Sequence, residues 1–199
     1  MLFCASCAVK NCGKPFGKED RYPKSCPSLD PILPEALREY QDPEDLLMAR
    51  QSAVVSSDHS ECRLLKTIRF AKLCSFQHLG LAFCITLKDE ASRVDRILRK
   101  EGFQVSSIIC KVGHESRQEV LGVTERCNAM CNPIAQAELL NREKTQLNIV
   151  LGLCVGHDSL FIKHSNAPVT VLAAKDHVYD NAPLEYLKHC SDGQQRRTE

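Results

Sequence analysis

The stretch Asn148-Ile-Val-Leu-Gly-Leu-Cys-Val-Gly-His-Asp-Ser-Leu-Phe161 restricts the possible folds of this chain more than any other. Ile149 to Leu151 is a short apolar run of the kind that forms a strand buried on both faces. Gly152 and Gly156 bracket Cys154, and glycines so placed let a backbone turn sharply or approach a ligand. Ser159 to Ile162 then opens a short helix. Strand, glycine-rich turn and helix in that order define a crossover unit of an open α/β sheet, and ligands of such sheets sit at this kind of turn. The same pattern also suits a plain tight turn with Cys154 as a small core residue.

The neighbouring segments supply the rest of the sheet. Leu79 to Ile85 reads as a buried strand. Asp89-Glu90 opens a helix with Ala91, Val94, Ile97 and Leu98 on one face, and Arg96, Arg99 and Lys100 suit its negative end before Gly102 stops it. Phe103 to Cys110 is the next strand. This βαβ unit calls for a right-handed crossover and a parallel pair. Val169 to Ala174 is the last strand, and Asn181 to Leu187 suits a closing helix. The spacing predicts a Rossmann- or flavodoxin-like parallel sheet of about four strands in the order 2-1-3-4. Thr86-Leu87-Lys88 stands where a dinucleotide fingerprint would carry glycines, so that function is disfavoured.

Four segments result: a cysteine-rich stretch at 1–29, a helical segment at 30–78, the α/β domain at 79–190 and a polar tail at 191–199. In the helical segment, Pro31 and Pro34 sit at a helix start, and Asp42-Pro43-Glu44 opens a second helix. Ser60 is expected to cap a third helix with Leu64, Leu65, Ile68 and Ala71 on one face, and Cys62 and Cys74 are expected to pack within these helices. Residues 113–126 read as polar and irregular. Asn132-Pro133 is then a strong helix start, with Asn132 as cap and Pro133 in the first turn.

A net charge of +1 and the absence of any long basic run argue against nucleic acid or an anionic membrane surface as partner. With no tryptophan there is little for bases to stack on. No apolar run approaches the roughly 20 residues that span a bilayer. A cytoplasmic protein is expected, and there twelve cysteines point to metal or redox chemistry rather than to disulfides.

The first set of candidates is Cys4-x2-Cys7-x4-Cys12-x13-Cys26. It lies among Gly13, Pro15, Gly17, Pro23 and Pro27, in a segment with no apolar periodicity and so no core of its own. A metal held by Cys4, Cys7, Cys12 and Cys26 would supply the missing folding energy. Thiolate ligands suit zinc or an iron–sulfur cluster, and spacing does not choose between them. The second set is at the carboxyl ends of the strands: Cys127, Cys131 and Cys154, with Cys110 or His157 as a fourth ligand. Cys131 precedes a helix N-terminus and Cys154 lies in a strand-to-helix turn, so the helix dipole should favour both thiolates. Cys84, inside an apolar run, reads as core. Buried small residues and one turn cysteine would account for the same pattern. Cys154 and His157 are the catalytic candidates, and Asp158 suits a cap.

With these motifs the chain resembles a family of uncharacterised cysteine-rich metal-binding proteins of archaea and anaerobic bacteria. The resemblance rests on Cys4-x2-Cys7-x4-Cys12 with Cys26-Pro27, Leu79 to Ile85, Cys127 to Pro133, Gly152 to Asp158, Ala167 to Thr170 and Ala174 to Asp176. It implies metal binding and brings no reaction with it. Three functions stay open: a metalloprotein with a rim site for a small molecule, a redox partner or thiol chemistry; a non-enzymatic module with structural zinc; and a carrier that passes a metal or cluster onward.

Overall fold

The computed structural model describes residues 2–9, 11–13, 15, 17, 22–124 and 129–189. The chain divides into two compact units, Met1–Val54 and Val55–Glu199. In the first, tight 3-10 turns at Cys4–Ser6, Asn11–Gly13 and Pro27–Leu29 are followed by α1 (Leu33–Glu39) and α2 (Pro43–Ser56). Asp42 caps α2, its Oδ1 accepting from the Glu44 and Asp45 amides at 2.9 and 3.1 Å.

The second unit opens with α3 (Arg63–Leu73), whose N-cap is Cys62 rather than Ser60. Asp58 takes Ser60 out of that role, because its Oδ1 accepts from both the Ser60 amide (2.9 Å) and hydroxyl (2.6 Å). Cys62 is accordingly exposed and packs in no core, whereas Cys74 is buried.

The sheet is formed by β1 (His78–Phe83), β2 (Gln104–Ile109), β3 (Leu147–Leu151) and β4 (Val169–Ala173). All three pairings are parallel and the order is β2-β1-β3-β4, the arrangement expected from the sequence. The helices are α4 (Lys88–Lys100), α5 (Arg117–Leu121), α6 (Pro133–Arg142), α7 (His157–His164) and α8 (Glu185–His189). The sequence did not reveal α5. Five residues are too few to show a period, although the Ser116 hydroxyl accepts from the Glu119 amide as a proper cap. The α6 start is as expected, with Asn132 Oδ1 accepting from the Ala135 amide at 2.9 Å. In α4, Ala91, Val94 and Leu98 are buried, but Ile97 turns toward solvent.

Alternation along the strands gives the sheet two cores. Ala82, Cys84, Cys110 and Val150 pack with Ala137 and Leu140 of α6 and Phe161 of α7. Leu79, Leu81, Val105, Leu147 and Ile149 bury the other face. Gly80 belongs to the α6 face for a steric reason: a Cβ there would collide with Asn148 Oδ1 and approach Leu140 Cδ1 to 2.9 Å. Among the described residues, no helix is long and apolar enough to cross a membrane.

Candidate functional site

The strand order reverses between β1 and β3, and the crevice outside the carboxyl ends of such strands is where open α/β sheets bind ligands. Four cysteines stand there. Cys84 directly follows β1, with its amide bonded to Leu151 O of β3 at 3.1 Å. Cys110 directly follows β2, its amide on Phe83 O at 2.9 Å. Cys131 is brought in by the return of the chain, since the Asn132 amide bonds Cys110 O at 2.8 Å. Cys154 lies past β3, in a turn that depends on Gly152 at φ +65° and Gly156 at φ +83°. A side chain at Gly152 would also collide with Leu87.

Two of the sulfurs are in contact. Cys131 Sγ donates to Cys110 Sγ at 3.9 Å. Cys110 and Cys84 each lie one residue past the ladder partners Ile109 and Phe83 and so are neighbours across β2 and β1. Cys154 lies within electrostatic reach of both Cys84 and Cys131. Cys84 and Cys110 are buried, whereas Cys131 and Cys154 are half-buried. Further donors converge on Cys84 and Cys110: Thr86 Oγ1 lies 3.3 Å from Cys84 Sγ, and the Ile85 amide donates to Cys110 Sγ at 3.4 Å. Lys175, just past β4, donates to Thr86 Oγ1.

These contacts divide the charge unequally. The Cys110 thiol, the Thr86 hydroxyl and amide, and Lys175 hold Cys84 well below the usual thiol range, against the opposing effect of burial. Cys110 is pushed far up, first because it is the donor to Cys84 and then by burial. The helix dipole was expected to favour a thiolate at Cys154, but burial, followed by Cys84 and Cys131, pushes that thiol up. Cys154 lies three residues before the first residue of α7, and a dipole effect fades within the first turn. His157 is pushed down by burial and by Arg117 and Lys111. Arg117 also lines a cavity of about 430 Å³ with His114, Ser116 and Gln118. Asp158 falls in the first turn of α7 rather than at its cap, which is Gly156.

Cys127 lies outside the described residues. Cys131 lies beside Cys110, and Cys154 follows β3 at the same end of the sheet. The residues that sequence reasoning passed over are Cys84, Thr86 and Lys175. A register argument could have found them, because each lies within three residues of the end of a strand. In the first unit Cys4, Cys7 and Cys12 are exposed and Cys26 is half-buried. The Cys7 amide closes the Cys4–Ser6 turn on Cys4 O at 3.3 Å, and its Sγ donates to Val9 O at 3.7 Å. As the side chains stand, no three His, Cys, Asp or Glu groups among the described residues converge on a point that could hold a metal ion.

A four-stranded parallel α/β domain with cysteines gathered at its switch point defines a cysteine-rich α/β protein. The chain belongs to the family described as "Protein of unknown function (DUF1847)", which matches residues 26–172. That span contains all four rim cysteines; Cys4, Cys7 and Cys12 precede it. The chain is 37% identical over 196 residues to the uncharacterized protein MJ0455 of Methanocaldococcus jannaschii, covering 94% of each. No solved structure matches it.

Proposed function

We propose that this is a cytoplasmic protein that binds a thiophilic metal at the sheet rim through Cys84, Cys110, Cys131 and Cys154. The observation that carries the reading is the 3.9 Å between Cys110 Sγ and Cys131 Sγ. Two thiolates on a tetrahedral ion with metal–sulfur bonds of about 2.3 Å stand roughly 3.8 Å apart. Soft sulfur donors from four separate segments suit zinc or an iron–sulfur cluster. Cys84, held below the usual thiol range, would supply the first thiolate, and the half-buried Cys131 and Cys154 would complete the set. Bound metal would supply a Lewis acid if zinc, or an electron site if a cluster. Cys4, Cys7, Cys12 and Cys26 form a separate centre in this reading, because a segment without a core gains its folding energy from metal.

Metal analysis with an absorption spectrum of anaerobically purified protein tests this. A broad visible band identifies a cluster, and colourless protein with bound metal identifies zinc. The double variant Cys110→Ser/Cys154→Ser should lose the rim metal and keep the other; Cys7→Ser/Cys26→Ser should do the converse. Unchanged metal content in the first variant would rule out the rim centre.

A further inference from the structure

A polar cleft opens beside the cysteine rim, and none of the four rim cysteines lines it. Its position follows from the path of the chain after β2. Gly113 and His114 both take left-handed backbone angles, φ +90° and +55°, and turn the chain after Cys110. His114 thereby adopts a conformation that non-glycine residues seldom hold without support from their surroundings. The Ser116 hydroxyl caps α5 by accepting from the Glu119 amide at 3.3 Å, which sets Arg117 and Gln118 in its first turn. The opposite wall is tied to this one by an antiparallel bridge between Ser116 and Ala129. The Met130 amide bonds Glu115 O at 2.9 Å, and Lys111 Nζ donates to Ala129 O. These ties lie next to the rim, since Lys111 follows Cys110 and Met130 precedes Cys131.

The cleft's volume of about 430 Å³ is that of a small-molecule site, for which about 300–1,000 Å³ is usual. Its lining is rich in donors: the Arg117 guanidinium, the His114 ring, the Gln118 amide and the Thr124 hydroxyl. Among the described residues no Asp or Glu lines it. Glu115 stands between His114 and Ser116 in the chain but lies against Gly113 instead. A cleft with a fixed positive charge, several donors and no carboxylate selects an anion. Val123 and Ala129 add a small apolar patch, enough for a short carbon chain. No Phe, Tyr or Trp lines the cleft among the described residues, so a nucleotide base or a flavin would find no ring to stack on.

We propose that this cleft binds a small organic oxyanion, a carboxylate or phosphate monoester on a short carbon chain, with Arg117 as its anchor. The guanidinium fork takes two oxygens of either group side by side. His114, Gln118 and Thr124 are placed to donate to the remaining oxygens, and the carbon chain rests on Val123 and Ala129. Arg117 also acts electrostatically on His157, three residues past Cys154, which puts the anchor near the rim.

The cleft uses none of the side chains assigned to metal, so the two proposals stand or fall separately. Full-length protein is titrated calorimetrically at low salt with succinate and with methyl phosphate, and the tighter of the two identifies the anionic group. In Arg117→Gln the binding of that anion should weaken about ten- to hundredfold, the loss of hydrogen bonding to a charged group. Thr124→Val, on an exposed part of the lining, should weaken it severalfold. Arg142→Gln removes the same charge from the exposed C-terminal end of α6 and should bind as wild type does. In wild-type protein the bound anion should slow phenylglyoxal labelling of Arg117 and leave that of Arg142 unchanged, as read by peptide mass spectrometry. This readout needs no variant to fold. Wild type that binds neither anion at millimolar concentration, or Arg117 labelling that a bound anion does not slow, would overturn the proposal. Equal losses in Arg117→Gln and Arg142→Gln would do so too, being the mark of general charge attraction. An anion held by a rim metal would still bind in Arg117→Gln, an outcome that removes the cleft and leaves the metal centre in place.

Discussion

Gly80→Ala should destabilise the α/β unit far beyond the usual cost of a methyl group. Gly80 lies in mid-strand on β1, opposite Asn148 of β3. The new Cβ would occupy the place of Asn148 Oδ1 and stand 2.9 Å from Leu140 Cδ1. Asn148 is fully buried, and its amide is engaged at both ends. Thr145 Oγ1 donates to Oδ1 at 2.8 Å, and Nδ2 donates to Ser165 Oγ at 2.8 Å. Displacing the amide breaks both bonds, and each orphaned buried group costs about 1–3 kcal/mol. Pressing on Leu140 adds about 1–3 kcal/mol of overpacking. The stiffer unfolded chain returns about 0.4–1 kcal/mol. The net loss comes to about 2–8 kcal/mol, a large share of the roughly 5–15 kcal/mol of a typical domain. Urea unfolding followed by far-UV circular dichroism measures it. In the double variant Gly80→Ala/Asn148→Ala the methyl enters space the amide has vacated, so the two losses should fall short of additivity by about 1–3 kcal/mol. A loss below about 1 kcal/mol for Gly80→Ala, or strict additivity in the double variant, would refute the reasoning.

Three further outcomes follow from the same contacts. Phe161→Ala removes a fully buried ring from the core beneath Cys84 and Cys110, and should cost about 3–5 kcal/mol in urea unfolding. Asn132→Ala removes the α6 cap and should cost about 1 kcal/mol, while speeding iodoacetamide labelling of the adjacent Cys131. Stability should also depend on pH through the thiol pair. A Cys84 pKa depressed on folding adds stability as pH rises toward the free-thiol value near ~8.5, and a raised Cys110 pKa removes stability above it. The urea-midpoint gap between wild type and Cys84→Ser should therefore widen from pH 6 to pH 8; a flat gap would show that Cys84 is not depressed.

The sheet was legible in the sequence because β1, β3 and β4 are short, mainly apolar runs and an amphipathic helix separates β1 from β2. Order 2-1-3-4 follows once β1 and β2 are linked by a helix and β3 must return. What failed was local. Ser60 has the chemistry of a cap, but Asp58, two residues earlier, competes for its amide and hydroxyl. Ile97 fits the apolar period of α4 yet lies at the margin of a stripe already filled by Ala91, Val94 and Leu98. Nothing local distinguishes Gly80 from any strand glycine, because its necessity comes from Asn148, 68 residues later.

The site was legible in part, for a related reason. Sequence spacing favours cysteines that are close in the chain, such as Cys127 with Cys131, whereas a parallel sheet gathers residues that lie one past the end of each strand. Cys84 was read as core because it sits inside an apolar run, and it is indeed buried, continuing the alternation of Gly80 and Ala82. The alternation that buries it also aims its sulfur at the α6–α7 face, where Cys110 arrives by the same rule from β2. Burial and reactivity are therefore not opposites at this rim. A buried thiol alone is pushed up, as Cys74 is. Given a hydroxyl, an amide, a second thiol and Lys175 as neighbours, the same burial keeps those donors out of competition with water. The charge then settles on Cys84 rather than on the more accessible Cys154, whose backbone carbonyl is bonded to the His157 and Asp158 amides while its sulfur gains no comparable donors.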